Sequence, residues 1–193
     1  MNEILTIDTT ASLPPTIERI EPLRVYGEDF HLLRKKIPEY SGSFPAPTLV
    51  TLGKRLKMTM KLYAGLGLSA NQCGVVERMF VIGTEEFQLV CINPKVTAAG
   101  PFIKDKEGCL SFPGLFLNVD RPVWIEAEFL DEHGEEKQVR LEGLSARCFL
   151  HELDHLDGIH YTEYVKPLAL KMARQKATKL VKKIVREKKN EKF

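Results

Sequence analysis

The chain has 193 residues, is 44% hydrophobic and 28% charged, and carries a formal net charge of +2. This is the composition of an ordinary globular protein, long enough for one core and short for two, so a single domain over 1–193 is expected. No apolar run approaches the roughly 18–20 residues of a membrane span. Met1 to Pro22 includes Glu3, Asp8, Glu18 and Glu21 without a continuous apolar stretch, which argues against a signal or transit peptide and for a cytoplasmic protein. The charge is uneven. Residues 1–166 hold 18 Lys+Arg against 24 Asp+Glu, whereas residues 167–193 hold 10 against 2, so a slightly acidic body carries a basic tail.

Six of the eleven prolines fall within residues 1–47, which predicts an irregular opening segment that wraps the surface. Leu49, Leu52, Leu56, Met60 and Tyr63 then recur at helical spacing, with lysines and an arginine between them, and the helix is expected to end at Gly65. Met79–Ile82 and Leu89–Ile92 read as short buried strands, the second closed by Asn93-Pro94. Val123, Ile125, Ala127 and Phe129 alternate with polar residues, and Val139 and Leu141 repeat the pattern after Asp131-Glu132-His133-Gly134, the mark of an antiparallel hairpin. A helix is expected from Gly143–Ser145 to Asp157, stopped by Gly158. A last helix begins at Pro167, with Ala173, Ala177, Leu180, Val181, Ile184 and Val185 as its apolar stripe. Strands flanked by a few helices, without βαβ alternation, indicate an α+β fold.

The run His151-Glu152-Leu153-Asp154-His155 carries the clearest chemistry. Two histidines four apart share one helix face, so both imidazoles can bind one ion without distorting the backbone. Glu152 leans toward the same ion, where its carboxylate can take a proton from a water that the metal acidifies. Leu144 and Cys148, at −7 and −3 from His151, extend the stripe and suggest a buried face. Arg147 interrupts that stripe and is expected at a pocket mouth or in solvent.

A catalytic metal needs a third protein ligand and an open position. The extended metallopeptidase motif would put a histidine at 161, but that residue is Tyr161 and His160 misses by one, so an upstream ligand is expected. Cys109, within Glu107-Gly108-Cys109-Leu110-Ser111 and just before the turn-like Pro113-Gly114, is the candidate. A thiolate suits Fe(II), Co(II), Ni(II) or Zn(II), although a lone cysteine is more often a small buried hydrophobe. With Cys73, Cys91 and Cys148 it forms no C-x-x-C pair, so reduced thiols are expected. In Gly65-Leu66-Gly67-Leu68-Ser69-Ala70-Asn71-Gln72 no phosphate-binding pattern is present. A plain turn competes there with a functional loop, whose exposed backbone would pair with an extended peptide and whose Gln72 amide would donate to an oxyanion.

These three stretches, at 65–72, 107–111 and 151–155, closely resemble the signatures G-x-G-L-[AS]-A-x-Q, E-G-C-L-S and H-E-x-D-H of the peptide deformylase family, in the family's order. The resemblance runs from about Leu33 to the C-terminal helix and leaves residues 1–25 poorly covered. It implies an α+β fold of antiparallel or mixed sheets packed around a central H-E-x-x-H helix, with a C-terminal helix. It also implies removal of the N-formyl group from the initiator methionine of nascent chains. By position, Cys109, His151 and His155 would bind one divalent metal, with Fe2+ favoured and Zn2+, Ni2+ or Co2+ able to occupy the same set. Glu152 would be the general base and later acid, and Gln72 and the Leu110 N–H the oxyanion donors. Gly65, Leu66, Gly67 and Gly108 would contact the peptide backbone, and Leu144 and Cys148 would line the methionine pocket. Asp154 would orient the helix by pairing with Arg121. Phe116 stands where many relatives carry a basic residue.

The basic tail, 167–193, reads either as a solvated helix face or as a surface that docks on the ribosome. No membrane or DNA partner is expected. A zinc endopeptidase and a non-enzymatic ribosome-binding relative are the rival readings. The first would cleave internal bonds, and the second should have lost a ligand or the general base.

Overall fold

The computed structural model of the protein describes residues 20–84 and 87–190. Helix α1 (Pro47–Leu62) is followed by strands β1 (Gly67–Ser69), β2 (Met79–Gly83), β3 (Gln88–Ala99), β4 (Phe102–Cys109), β5 (Phe112–Pro122), β6 (Trp124–Leu130) and β7 (Glu136–Glu142). Helices α2 (Gly143–Asp157) and α3 (Pro167–Asn190) complete the order. The strands make a five-stranded sheet, β1-β2-β3-β6-β7, and a separate β4-β5 ribbon, and every pairing is antiparallel. The expected α+β class is therefore observed. Residues 1–19 of the opening segment lie outside the described residues; from 20 to Pro47 its only helix is the single 3-10 turn His31–Arg34.

Burial of β2 and the first half of β3 on both faces explains their apolar runs. Met79, Val81, Val90 and Ile92 pack with Leu49, Leu52, Leu56 and Met60 of α1. Phe80, Ile82 and Cys91 point the other way and pack with Ile125, Ala127, Phe129 and with Ala146, Phe149 and Leu156 of α2. Residues that alternate along a strand face opposite sides, so a strand covered twice reads as a continuous apolar run. The two faces thus hold α1 and α2, and α2 also touches β5 and β7.

Three expectations are corrected. The strand at 89–92 does not close at Asn93-Pro94. β3 runs on to Ala99 by bulging there, with Asn93 at φ 51° and a register shift between Ile92 and Lys95. Pro113-Gly114 does not make the turn after Cys109, because both residues belong to β5 and the chain reverses at Leu110-Ser111. α1 ends at Leu62 rather than at Gly65; Ala64 takes φ 51°, and Gly65 N–H bonds Met60 O at 2.9 Å.

The hairpin and the later helices stand as expected. Ile125 pairs with Leu141 and Ala127 with Val139. α2 closes on Gly158 at φ 75°, and Arg78 caps its end by donating to Leu156 O at 3.2 Å and pairing with Asp157 at 2.9 Å. Cations at a helix C-terminus complement its dipole. The stripe of α3 is only partly covered. Ala177 is buried with Phe112, Leu115, Leu117 and Tyr161, whereas Leu180 and Val181 stay exposed at 43% and 37%. The side chains of Ile184 and Val185 lie outside the described residues. Arg174 holds α3 to the opening segment through a two-pronged ion pair with Glu28, at 2.8 and 2.6 Å.

Candidate metal centre

α2 presents its two histidines inward. His151 and His155 are buried, with ring centroids 4.9 Å apart. The turn between β4 and β5 brings Cys109 to them, and Cys109 Sγ lies 3.2 Å from His155 Nε2. One donor atom from each of Cys109, His151 and His155 falls within 4.8 Å of the others. A tetrahedral ion with bonds of about 2.0–2.3 Å spaces its ligands by roughly 3.5 Å, so small side-chain rotations complete the set. His151 Nε2 is buried without a hydrogen-bond partner among the described residues, while its Nδ1 is 3.1 Å from Glu107 Oε2. A carboxylate on one ring nitrogen leaves the other free to ligate. The donor set fits a divalent metal.

Glu152 lies beside this trio, 3% exposed, with Oε2 lacking a hydrogen-bond partner among the described residues. Burial pushes its carboxyl up to about 7, against the opposing influence of His151 and of the Ser69 hydroxyl and N–H. A buried carboxyl poised near neutrality suits a group that takes a proton and gives it back. Gly67 of β1 makes room for it, because a Cβ there would sit 2.5 Å from Glu152 Oε1 and 2.7 Å from Cys148 Sγ.

Gln72 is fixed in direction. Its Oε1 accepts from the N–H and hydroxyl of Ser69 at 3.0 and 2.9 Å, which turns Nε2 toward Ser111 Oγ at 3.1 Å and Cys109 Sγ at 3.5 Å. The amide therefore donates into the metal site. Asn71 ties the same turn to α2 by donating to His155 O at 2.6 Å.

The Arg147 expectation is overturned. Arg147 is buried at 5% exposure and pairs with Glu107 at 2.8 Å. Arg121 holds Glu107 at 2.9 and 3.2 Å and reaches Asp154 at 2.7 Å, the pairing expected for Asp154. Burial works against the Glu107 charge, but hydrogen bonds from His151 and Arg121 outweigh it and hold the carboxyl at about 2. Two cations facing two carboxylates make a neutral buried cluster. The sequence gives Glu107 no role of its own; it ends the charged run Lys104-Asp105-Lys106-Glu107 and opens the stretch that holds Cys109. His160 is structural: its Nε2–H donates to Leu33 O at 3.0 Å and its ring packs on Phe112.

The remaining residues surround the trio unevenly. Leu110 is half-buried, and its side chain fills the space a Cβ at Gly65 would need. Leu66 is 43% exposed and its carbonyl already accepts from Gly83 N–H. β1 is the outer strand of its sheet, so among the described residues one side of Gly67–Ser69 has no strand neighbour. Gly108 pairs with Phe116, whose ring occupies the space of a Cβ and is 52% exposed. Cys148 is half-buried, but Leu144 is 61% exposed, so the stripe is not buried at its first turn as expected. Burial pushes the Cys73 thiol up to about 12 and those of Cys91 and Cys148 well above the ordinary value; Cys109 is the cysteine that shares a site with the two histidines.

A helix carrying H-E-x-x-H, a cysteine from a neighbouring ribbon and an inward-facing amide define a metallohydrolase site. Comparison with known proteins gives the family. A family model described as Polypeptide deformylase matches residues 20–171. Peptide deformylase 2 of Xanthomonas campestris pv. campestris is 36% identical over 157 residues, 80% of this chain and 92% of the relative. The crystal structure of a peptide deformylase from Legionella pneumophila superposes with a TM-score of 0.78 at 32% identity, covering 86% of this chain and 98% of that one. One from Synechococcus elongatus in complex with actinonin does so at 0.76 and 32%, covering 90% and 95%. The chain belongs to the peptide deformylase family.

Proposed function

We propose that this protein hydrolyses the N-formyl group of N-formylmethionyl nascent peptides and releases formate. The observation that carries the reading is the convergence of Cys109, His151 and His155 with the buried Glu152 and the aimed Gln72 amide. Cys109, His151 and His155 would hold the metal, and Fe2+ is favoured by the family resemblance, with Zn2+, Ni2+ and Co2+ suited to the same donors. Bound there, the metal supplies Lewis acidity that acidifies a water and polarises the formyl carbonyl.

Glu152 takes the water's proton as the oxygen attacks the formyl carbon. Gln72 Nε2 and the Leu110 N–H donate to the oxygen on which charge develops. Glu152 then returns the proton to the leaving amine, so formate and a free methionyl N-terminus result. Gly65, Leu66, Gly67 and Gly108 contact the peptide backbone, with β1 extended by a strand of substrate. Cys148 and Leu144 wall the methionine side chain. A formyl carbon carries only hydrogen, so a narrow site distinguishes it from acetyl by shape. No described helix is long and apolar enough to cross a membrane; we place the protein in the cytoplasm, where α3 docks on the ribosome.

The test is formate release from formyl-Met-Ala-Ser by anaerobically purified protein, alongside acetyl-Met-Ala-Ser. Release from the formyl peptide alone supports the reading, and no release with Fe(II) or Ni(II) present contradicts it.

A further inference from the structure

We infer that Arg147 is a positioning residue that fixes the Cys109 ribbon against the histidine helix, and so sets the geometry of the metal site. The inference rests on the metal reading above. The three ligands come from two elements that no shared backbone ladder joins: Cys109 ends β4, whereas His151 and His155 belong to α2. Their separation therefore depends on side chains that cross between ribbon and helix.

Arg147 crosses with four bonds. From α2 it donates to the carbonyls of Ile103 at 3.0 Å and Asp105 at 3.3 Å on β4, and to that of Val119 at 2.9 Å on β5. Its fourth bond is to Glu107 Oε1 at 2.8 Å, two residues before Cys109. Glu107 Oε2 in turn holds His151 Nδ1 at 3.1 Å, one turn along α2 from Arg147. A closed path thus runs from α2 through Arg147 to the ribbon, and back through Glu107 to the ligand on α2. Arg121 grips the same carboxylate from β5 and reaches Asp154 on α2 at 2.7 Å, a second span between ribbon and helix, but Arg147 is the one that also binds the backbone of β4, the strand that ends in Cys109. The planar guanidinium with its several donors is suited to hold a carboxylate and carbonyls at once, which a lysine ammonium on a single-point contact is not.

The experiment measures Co(II) affinity by chelator competition, and the thiolate-to-Co(II) absorption band, for the full-length protein and for Arg147→Met and Arg147→Lys. Wild type should bind one Co(II) with a thiolate band; its absence would sink the metal reading itself. Arg147→Met should keep a native far-UV spectrum and lose about 10–100-fold in Co(II) affinity, with the band shifted or weakened. Arg147→Lys should recover affinity only partly. A purely structural role would lower the thermal midpoint of the metal-free protein and leave affinity and band unchanged in the folded variant. Wild-type affinity and band in either folded variant overturn the inference, as does failure of both variants to fold, which would make the role structural.

Discussion

Gly67 lies directly against Glu152: a methyl group at position 67 would sit 2.5 Å from Oε1 and 2.8 Å from Cγ of the glutamate. Contacts that close do not occur, so any side chain at 67 displaces either the β1 backbone or the carboxylate. Gly67→Ala should lower kcat by about 100-fold, in line with the cost of misplacing a reacting group by an ångström. It should leave Co(II) binding intact, since no ligand moves. Steady-state kinetics with metal analysis checks this, and near-normal kcat would show that the tight packing is irrelevant to proton transfer.

Glu152 works as a base only when ionised. Burial raises it to about 7, and a bound dication beside it pulls it back toward the ordinary 4.5. The acid limb of kcat/KM should therefore fall between those values, with activity lost as pH drops through it. Ser69 opposes that rise, so Ser69→Ala should move the limb to higher pH. An unmoved or lowered limb would contradict the assigned role of that contact.

Glu107 links the site to acid stability. Its folded-state carboxyl is held at about 2, below the ordinary 4.5. A depressed acid contributes stability that is present above the unfolded value and lost as pH falls through the folded one. Metal-free protein should therefore lose on the order of 3 kcal/mol between pH 5 and pH 2 from this group, measured by urea unfolding across that range. Glu107→Gln should remove that part of the slope and destabilise the protein at pH 7, because Arg147 would keep a buried charge with only neutral partners and Arg121 would keep Asp154 as its one carboxylate. A slope unchanged by the substitution would refute the link.

The basic α3 offers a way to test the proposed docking apart from catalysis. Ten lysines and arginines against two glutamates lie in 167–193. Removing residues 182–193, beyond the Ala177 contact with β5, should weaken ribosome association in a salt-dependent way and spare turnover of a short formyl-Met peptide. Cosedimentation with ribosomes at two salt concentrations reads this, and unchanged association would end the docking proposal.

Much of the site could be read in the sequence because its chemistry is local. The four-residue spacing of His151 and His155 needs only a helix, and Gly158 marks where that helix stops. The β6–β7 hairpin showed through its alternation, Ile125, Ala127 and Phe129 inward. The β4–β5 ribbon escaped because Lys104, Asp105, Lys106 and Glu107 carry no period-2 apolar signal; most of β4 is exposed, and its partner is β5 rather than a core. Arg147 was misplaced for a related reason. Spacing put it on an inward face, but the acids and carbonyls that satisfy it lie 28 to 44 residues away, and only the folded chain brings them together.

The most direct test of the account measures formate release and bound metal on the same samples of wild type, Glu152→Ala and Cys109→Ala. Wild type should hold one metal per chain and release formate from formyl-Met-Ala-Ser. Glu152→Ala should keep the metal and lose turnover, and Cys109→Ala should lose the metal. Turnover by Glu152→Ala at the wild-type rate, or full metal occupancy in Cys109→Ala, would contradict the assignment of base and ligand on which the mechanism stands.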